Sequence, residues 1–126
     1  MKNDTNNYND NNNNNLMTYL KFLDLSKLLR GSVDYPELDS IEERILNQCA
    51  AAWLAGKPAT VLESMHACTD ISAGTAHRRL KILRQKGFIS LNVDETDNRI
   101  KYIVQTNLCK NYFAQLGKCI NGALVS

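Results

Sequence analysis

Residues 70–89, DISAGTAHRRLKILRQKGFI, decide the fold because one predicted helix carries both a packing face and a basic face. On a helical wheel, Ala76, Leu80 and Leu83 lie in one narrow arc, as a buried stripe requires. The opposite side is polar and basic, and it holds Gly74, Arg78, Lys81 and Gln85, with His77 on its flank. No acidic residue occurs between Asp70 and Asp94. We therefore expect a positive, solvated outer face.

Both ends of this helix carry terminal signals. The Ser72 hydroxyl is a good N-cap that can accept from the backbone N–H of Gly74 or Thr75. Gly87 can adopt the left-handed conformation that ends a helix. A short polar turn before a capped, basic helix is typical of a helix-turn-helix, whose second helix enters the DNA major groove. The simpler alternative is a solvated amphipathic helix with no nucleic-acid partner.

Two alternating segments follow the helix. Residues 89–93 (ISLNV) and 100–104 (IKYIV) alternate apolar and polar side chains on either side of a polar loop, which predicts a β-hairpin. A helix-turn-helix followed by a hairpin is a winged helix. The predicted fold class is mainly α with a small β-hairpin (α+β), a winged helix-turn-helix with flanking N- and C-terminal helices.

This arrangement resembles the winged-helix domain of MarR-type transcriptional regulators over roughly residues 40–116. The resemblance rests on the order of elements, on S-x-x-T-A-x-R-R-L at 72–80 and on K-G-F-I at 86–89. The family's wing carries D-x-R-D-x-R, and this chain has DETDNR at 94–99, with Thr96 in place of the first arginine. The resemblance implies that Arg99 reaches the minor groove or braces the hairpin. Together, the basic face and the resemblance predict these DNA-binding residues: Ser72, Gly74, Thr75, His77, Arg78, Lys81, Gln85, Arg99 and Lys101.

Composition narrows the class of protein. The chain has 126 residues, a net charge of +2 and 44% apolar residues, as expected for one globular core. It has no uninterrupted apolar run of about 18 residues and no secretory signal, so we expect a cytoplasmic protein with no membrane partner. The four cysteines form no C-x-x-C pair and have no zinc-finger spacing with histidine, which predicts free thiols and neither metal nor cofactor. No nucleotide-binding or hydrolase motif occurs, so we predict no catalytic residues and no enzyme.

The chain divides into four predicted segments. Residues 1–15 are asparagine-rich and contain almost nothing apolar, so we expect a disordered tail. Residues 16–38 are predicted to form a dimerisation helix and a linker, 39–106 the winged helix-turn-helix domain, and 107–126 a C-terminal helix.

Within the winged domain, the packing of three segments is also predicted. Glu42 lies in the first turn of a helix capped by Asp39 or Ser40, where an acid suits the helix dipole. Trp53 is expected to anchor the core from the same helix. Val61, Leu62 and Met65 are expected to pack against the basic helix.

The first helix has apolar residues nearly all round. Such a helix has more apolar surface than one packing partner covers, which favours a dimer contact over a role as one more core helix. In the resembled family the terminal helices also form a dimerisation layer. The predicted interface residues are Leu16, Tyr19, Leu20, Phe22, Leu23, Tyr112 and Leu116.

These features predict a sequence-specific protein that binds double-stranded DNA, with the recognition helix in the major groove and the wing in the minor groove. The output we favour is transcriptional repression by a homodimer. Two alternatives remain: a replication or partition protein of a mobile element, and a winged-helix protein-interaction module. The sequence leaves open whether a small-molecule effector controls binding.

Overall fold

The computed structural model describes the backbone of residues 2–124 and the side chains of residues 10–124. The elements are α1 (Lys2–Arg30), α2 (Ser40–Leu54), α3 (Val61–Ala67), α4 (Ala73–Gln85), β1 (Ile89–Val93), β2 (Lys101–Gln105) and α5 (Asn107–Leu124). The predicted winged helix-turn-helix with flanking helices is confirmed.

The chain forms two compact units. Residues 36–111 form the winged unit, and the described residues of 1–35 and 112–126 form the helical unit. The division falls within α5, whereas the sequence placed a boundary after residue 106. The first turn of α5 belongs to the winged unit because the Thr106 hydroxyl, which caps it, donates to the carbonyl of Gly87 at 2.6 Å, and because Cys109 is buried.

The winged unit has a core built from helices and hairpin together. Leu83, Phe88 and Ile103 are fully buried, and Trp53 donates from its indole Nε1 to the carbonyl of Ile103 at 2.9 Å. The two strands pair antiparallel, with Ile89 opposite Gln105 and Val93 opposite Lys101. The core thus ties α2 to the hairpin, and the half-buried Trp53 joins the two through this hydrogen bond.

Local signals fix the helix ends in this unit. The Ser72 hydroxyl accepts from the backbone N–H of Thr75 at 3.1 Å, and Gly87 has a φ of +86° just after α4. Asp39 and Thr60 form capping boxes at the starts of α2 and α3, in which cap and third helical residue bond each other reciprocally. These caps set where each helix of the helix-turn-helix begins.

One packing prediction for α3 is wrong. Leu62 is 65% exposed, and the buried residue of this helix is Ser64. A hydrogen bond with Ser64 lowers the pKa of the Cys49 thiol on α2, against the larger rise caused by burial. A small polar side chain therefore occupies the inner face of α3, and Leu62 lies on the outside.

The helical unit contains α1 and the end of α5. The α1 helix begins at Lys2, so the described backbone of residues 2–15 is helical where the sequence predicted a disordered tail; Met1 lies outside the described part. The side chains of residues 10–15 are exposed, so in this part of the extension the helix is held by its backbone hydrogen bonds. Once a helix has formed at Leu16–Arg30, each further residue adds one such bond, which is why the helix can continue.

Tyr112 and Ser26 are buried in the helical unit. The ring of Tyr112 lies 5.2 Å from the ring of Tyr35, centroid to centroid, and Tyr112 is only 3% exposed. A Cβ added at Gly122 would lie 3.4 Å from Leu25, so α5 packs closely on α1. The sequence placed Tyr112 in the dimer interface, whereas here its own chain already covers it.

None of the helices in the described residues combines the length and the apolar content that crossing a lipid bilayer requires.

Candidate nucleic-acid interface

The predicted two faces of α4 are present in the structure. Ala76, Leu80 and Leu83 are buried, with exposed fractions of 5% or less. On the other side, the predicted DNA-binding residues of this helix are accessible: Ser72, Gly74, Arg78, Lys81 and Gln85 are exposed, and Thr75 and His77 are half-buried. The helix thus presents a continuous polar and basic surface to solvent, and contact of that surface with DNA stays a prediction.

A short hydrogen-bonded chain orients Arg78. Its guanidinium Nη2 donates to the Thr75 hydroxyl at 3.2 Å, and the Ser72 hydroxyl lies 2.9 Å from the same Thr75 oxygen. Side chains on a helix lean toward its N-terminus, so this contact draws Arg78 toward the start of α4. Residues near the start of a recognition helix are the ones that reach base edges.

Gly74 lies in the first turn of α4 and is exposed. A Cβ added there would meet no atom within 4 Å, so nothing in the fold requires glycine. Glycine inside a helix costs about 0.5–1 kcal/mol relative to alanine. Contact of Gly74 with a DNA backbone stays a prediction.

The tip of the wing is closed by Asp94. One carboxylate oxygen accepts from the Thr96 hydroxyl at 2.7 Å and from the backbone N–H groups of Thr96 and Asp97, both at 3.0 Å; the other accepts from the Tyr102 hydroxyl at 3.2 Å. The Thr96 hydroxyl bond is the main reason that the pKa of Asp94 lies below its ordinary value. Thr96 therefore braces the hairpin through Asp94.

Arg99 pairs with Asp97 in its own loop. Its Nε and Nη2 each donate to one Asp97 oxygen at 3.1 Å, and the side chain is 90% exposed. This bidentate bond is the chief cause of a lowered pKa at Asp97 and a raised pKa at Arg99. The guanidinium is thus held in one orientation at the wing while remaining open to solvent.

A groove of about 770 Å³ lies between α3, the first part of α4 and the wing. Gly74 and His77 line it from α4, and Arg99 and Lys101 line it from the hairpin. The structure therefore brings four of the nine predicted DNA-binding residues to the walls of one groove. Two cations stand on its hairpin side.

Sequence reasoning missed the role of Arg79 and Lys86. Arg79 lies in α4 and Lys86 caps its C-terminal end, and both turn away from the outer face toward α2. Lys86 Nζ lies 2.7 Å from Glu42 Oε1, and Arg79 Nη1 lies 3.4 Å from Glu42 Oε2 and 2.5 Å from Asp39 Oδ2. Their spacing of seven residues, two helical turns, was the available signal, since it puts both on one side of the helix. Glu42 was predicted only to suit the helix dipole, and it is in fact buried.

The cysteines are free thiols. Burial is the main cause that raises the pKa of Cys49 and of Cys109, each to about 11. Such thiols are almost fully protonated near neutral pH and therefore poor nucleophiles and metal ligands. Among the described residues, no group of histidine, cysteine, aspartate and glutamate side chains could hold a metal ion.

Comparison with known proteins gives matches at the level of structure. The transcriptional regulator Tm0710 from Thermotoga maritima has a TM-score of 0.62 and 17% identity, covering 85% of this chain and 67% of its own. FabT from Streptococcus pneumoniae, solved in complex with DNA, has a TM-score of 0.59 and 21% identity over 99% of this chain and 79% of its own. The heme sensor protein PefR from Streptococcus agalactiae, solved in complex with heme, has a TM-score of 0.58 and 20% identity over 97% of this chain and 76% of its own.

These neighbours are MarR-family winged-helix regulators. The chain has their fold. The TM-scores of 0.58–0.62 establish a common fold at identities of only 17–21%, which agrees with the resemblance seen in residues 72–89. No protein-family model matches the sequence, and no curated protein matches it.

Proposed function

We propose that this protein is a non-enzymatic regulator that binds double-stranded DNA in a sequence-specific manner as a homodimer, and that it represses transcription. The observation that carries the proposal is the outer face of α4. Arg78 and Lys81 are exposed there, Arg78 is oriented by Thr75, and Ala76 and Leu80 on the opposite side hold the helix to the body. A protein-interaction module would have no need of this basic, oriented surface.

The geometry supports different roles in DNA binding for α4 and for the wing. Arg78 lies within the first two turns of α4, where an arginine can make two hydrogen bonds to guanine O6 and N7 in the major groove. Arg99 and Lys101 lie across the groove on the hairpin, where we expect them to meet phosphates or a narrow minor groove. FabT was solved in complex with DNA, which supports DNA as the partner of this fold. A DNA partner also agrees with the cytoplasmic location expected from the sequence.

The homodimer is supported by the apolar surface of the helical unit. Leu16, Tyr19, Leu20 and Leu23 are 39–56% exposed on α1, and Phe22 and Leu116 are half-buried. On α5, Ile120 is 52% exposed and Leu124 is 69% exposed. Apolar side chains concentrated on one small unit mark an interaction site, and a second copy is the partner that every such chain has available. Tyr112 is left out of this interface because it is buried.

Salt dependence of binding tests the DNA proposal. If each subunit neutralises several phosphates through Arg78, Lys81, Arg99 and Lys101, counterions are released on binding, and affinity should fall by orders of magnitude between about 50 and 200 mM salt. Fluorescence anisotropy with a labelled duplex, selected from a random pool by the protein itself, measures this slope. An affinity that is flat across the range contradicts the proposal, as does a pool from which no duplex is enriched.

A further inference from the structure

Glu42 is the one charged residue that is buried in the part of the chain whose side chains the structure describes, with 1% exposure. A buried carboxylate is costly unless it is paired and hydrogen-bonded. Glu42 makes four contacts with three residues. Its Oε1 accepts from the backbone N–H of Asp39 at 3.0 Å and from Lys86 Nζ at 2.7 Å, and its Oε2 faces Arg79 Nη1 at 3.4 Å; its backbone N–H donates to Asp39 Oδ1 at 2.8 Å.

The cations that meet Glu42 both come from the recognition helix. Arg79 on α4 and Lys86 at its C-cap are seven residues apart, so their Cα atoms lie about 10 Å apart along the helix axis. Each has a second contact at the start of α2: Arg79 with Asp39 Oδ2 at 2.5 Å, and Lys86 with the carbonyl of Glu37 at 2.5 Å. The start of α2 and the residues just before it therefore hold α4 at two points along the helix axis.

Two directional attachments restrict the rotation and sliding of α4 more strictly than apolar packing does. Contacts of Ala76, Leu80 and Leu83 are non-directional and tolerate a small rotation or slide of α4. Hydrogen bonds from Lys86 and Arg79 to a fixed carboxylate restrict both movements, because they weaken steeply when the geometry is lost. Arg78 directly precedes Arg79, so a rotation of α4 would also displace Arg78, the residue proposed to read a base edge.

We propose that Glu42 is a positioning residue for DNA recognition, which fixes the rotation of α4 and thereby the discrimination between DNA sequences. This rests on the proposed DNA-binding function and names a residue that touches no DNA. It predicts that loss of the Glu42 charge reduces sequence discrimination much more than it reduces binding to DNA in general, because phosphate contacts carry little sequence information and tolerate a small misplacement of the helix.

The test compares Glu42→Gln with Asp70→Asn. Asp70 pairs with Arg44 at 2.8 Å and so also connects α2 to the region where α4 begins, but their side chains are 65% and 48% exposed, and exposed pairs contribute little. Each variant removes one negative charge. Affinities are measured for the duplex enriched by the unaltered protein and for a scrambled duplex of the same composition, and urea unfolding midpoints are recorded in parallel.

We expect Glu42→Gln to lower the ratio of the two affinities about tenfold, with binding to the scrambled duplex nearly unchanged, since hydrogen bonds to charged groups are of that strength. Asp70→Asn should leave the ratio as it is. Lys86→Gln should reproduce the loss, and the double variant should lose little more, because both act on one contact.

Three results would overturn the proposal. The first is that Glu42→Gln lowers both affinities by the same factor, which would indicate general loosening of the fold. The second is that Asp70→Asn lowers the affinity ratio as much as Glu42→Gln does. The third is that the Glu42→Gln variant is folded and leaves the affinity ratio unchanged. If the unaltered protein enriches no duplex, the DNA-binding proposal itself fails, and that outcome is recognised before any variant is measured.

Discussion

The winged unit and the helical unit differ in how completely they bury their apolar side chains. In the winged unit Leu83, Phe88 and Ile103 are completely buried within one chain. In the helical unit Tyr19 and Leu20 remain about half exposed, although Tyr112 and Ser26 are buried there. The winged unit thus completes its core from helices and hairpin together, whereas the helical unit leaves apolar surface that a second chain can cover.

The largest effect is expected when charge is introduced into the exposed apolar surface of the helical unit. Replacing both Leu20 and Leu23 by Asp should abolish the dimer, because a two-fold interface repeats each substitution and buries four charges in an apolar contact. Analytical ultracentrifugation should show monomers or aggregates.

Removal of residues 1–15 is the control for that experiment. The side chains of residues 10–15 are exposed, so the truncated protein should keep its oligomeric state and its DNA affinity. A folded dimer of the Leu20→Asp, Leu23→Asp variant would place the interface elsewhere.

Truncating one leucine in each unit sharpens the comparison. Leu83→Ala should destabilise the fold by about 2–5 kcal/mol, because it leaves a cavity in a core that cannot collapse fully. Leu20→Ala, at a site 49% exposed, should cost much less in unfolding measured at low protein concentration, where the dimer dissociates. Urea titrations monitored by circular dichroism compare the two; equal losses would mean that α1 is packed as tightly as the winged core.

Within the winged unit, side chains that recognise DNA bases can be distinguished from side chains that bind only the DNA backbone. Arg78→Ala should cost about 1–3 kcal/mol on the enriched duplex and relax the preference at one base pair per half-site. Arg99→Ala should weaken good and poor sites more evenly and reduce the salt slope, since phosphate contacts carry little sequence information. Anisotropy titrations of both variants on enriched and scrambled duplexes decide this. If Arg78→Ala lowers both affinities by one factor, Arg78 is not the reading residue.

The smallest expected effect comes from Gly74→Ala, which should raise the stability of the fold and lower the affinity for DNA. Gly74→Ala should stabilise the protein by about 0.5–1 kcal/mol, because the added Cβ meets nothing and alanine favours the helix. It should weaken DNA binding, because a methyl group would keep the backbone of α4 away from DNA. Thermal unfolding and anisotropy on the same sample give the two signs. A variant with both greater stability and unchanged affinity would remove Gly74 from the interface.

Much of the winged fold could be predicted from the sequence because its signals are local. The cap at Ser72, the left-handed Gly87 and the stripe of Ala76, Leu80 and Leu83 depend on residues within a few turns of one another. The alternation of residues 89–93 likewise predicts a strand that is found at Ile89–Val93. The predicted helix of residues 16–30 is also present, but it continues back to Lys2, which low apolar content did not suggest.

The sequence by itself determined where the recognition helix begins and ends and which of its sides is basic, since helical periodicity and capping are properties of one segment. Only the tertiary structure decided which basic residues remain available. Arg78 and Lys81 face solvent, while Lys86 is bound by Glu42, a residue 44 positions earlier in the chain. It also decided that Tyr112 is covered by Tyr35. Such pairings depend on how separate elements pack, and a carboxylate becomes buried only when that packing brings its cations to it.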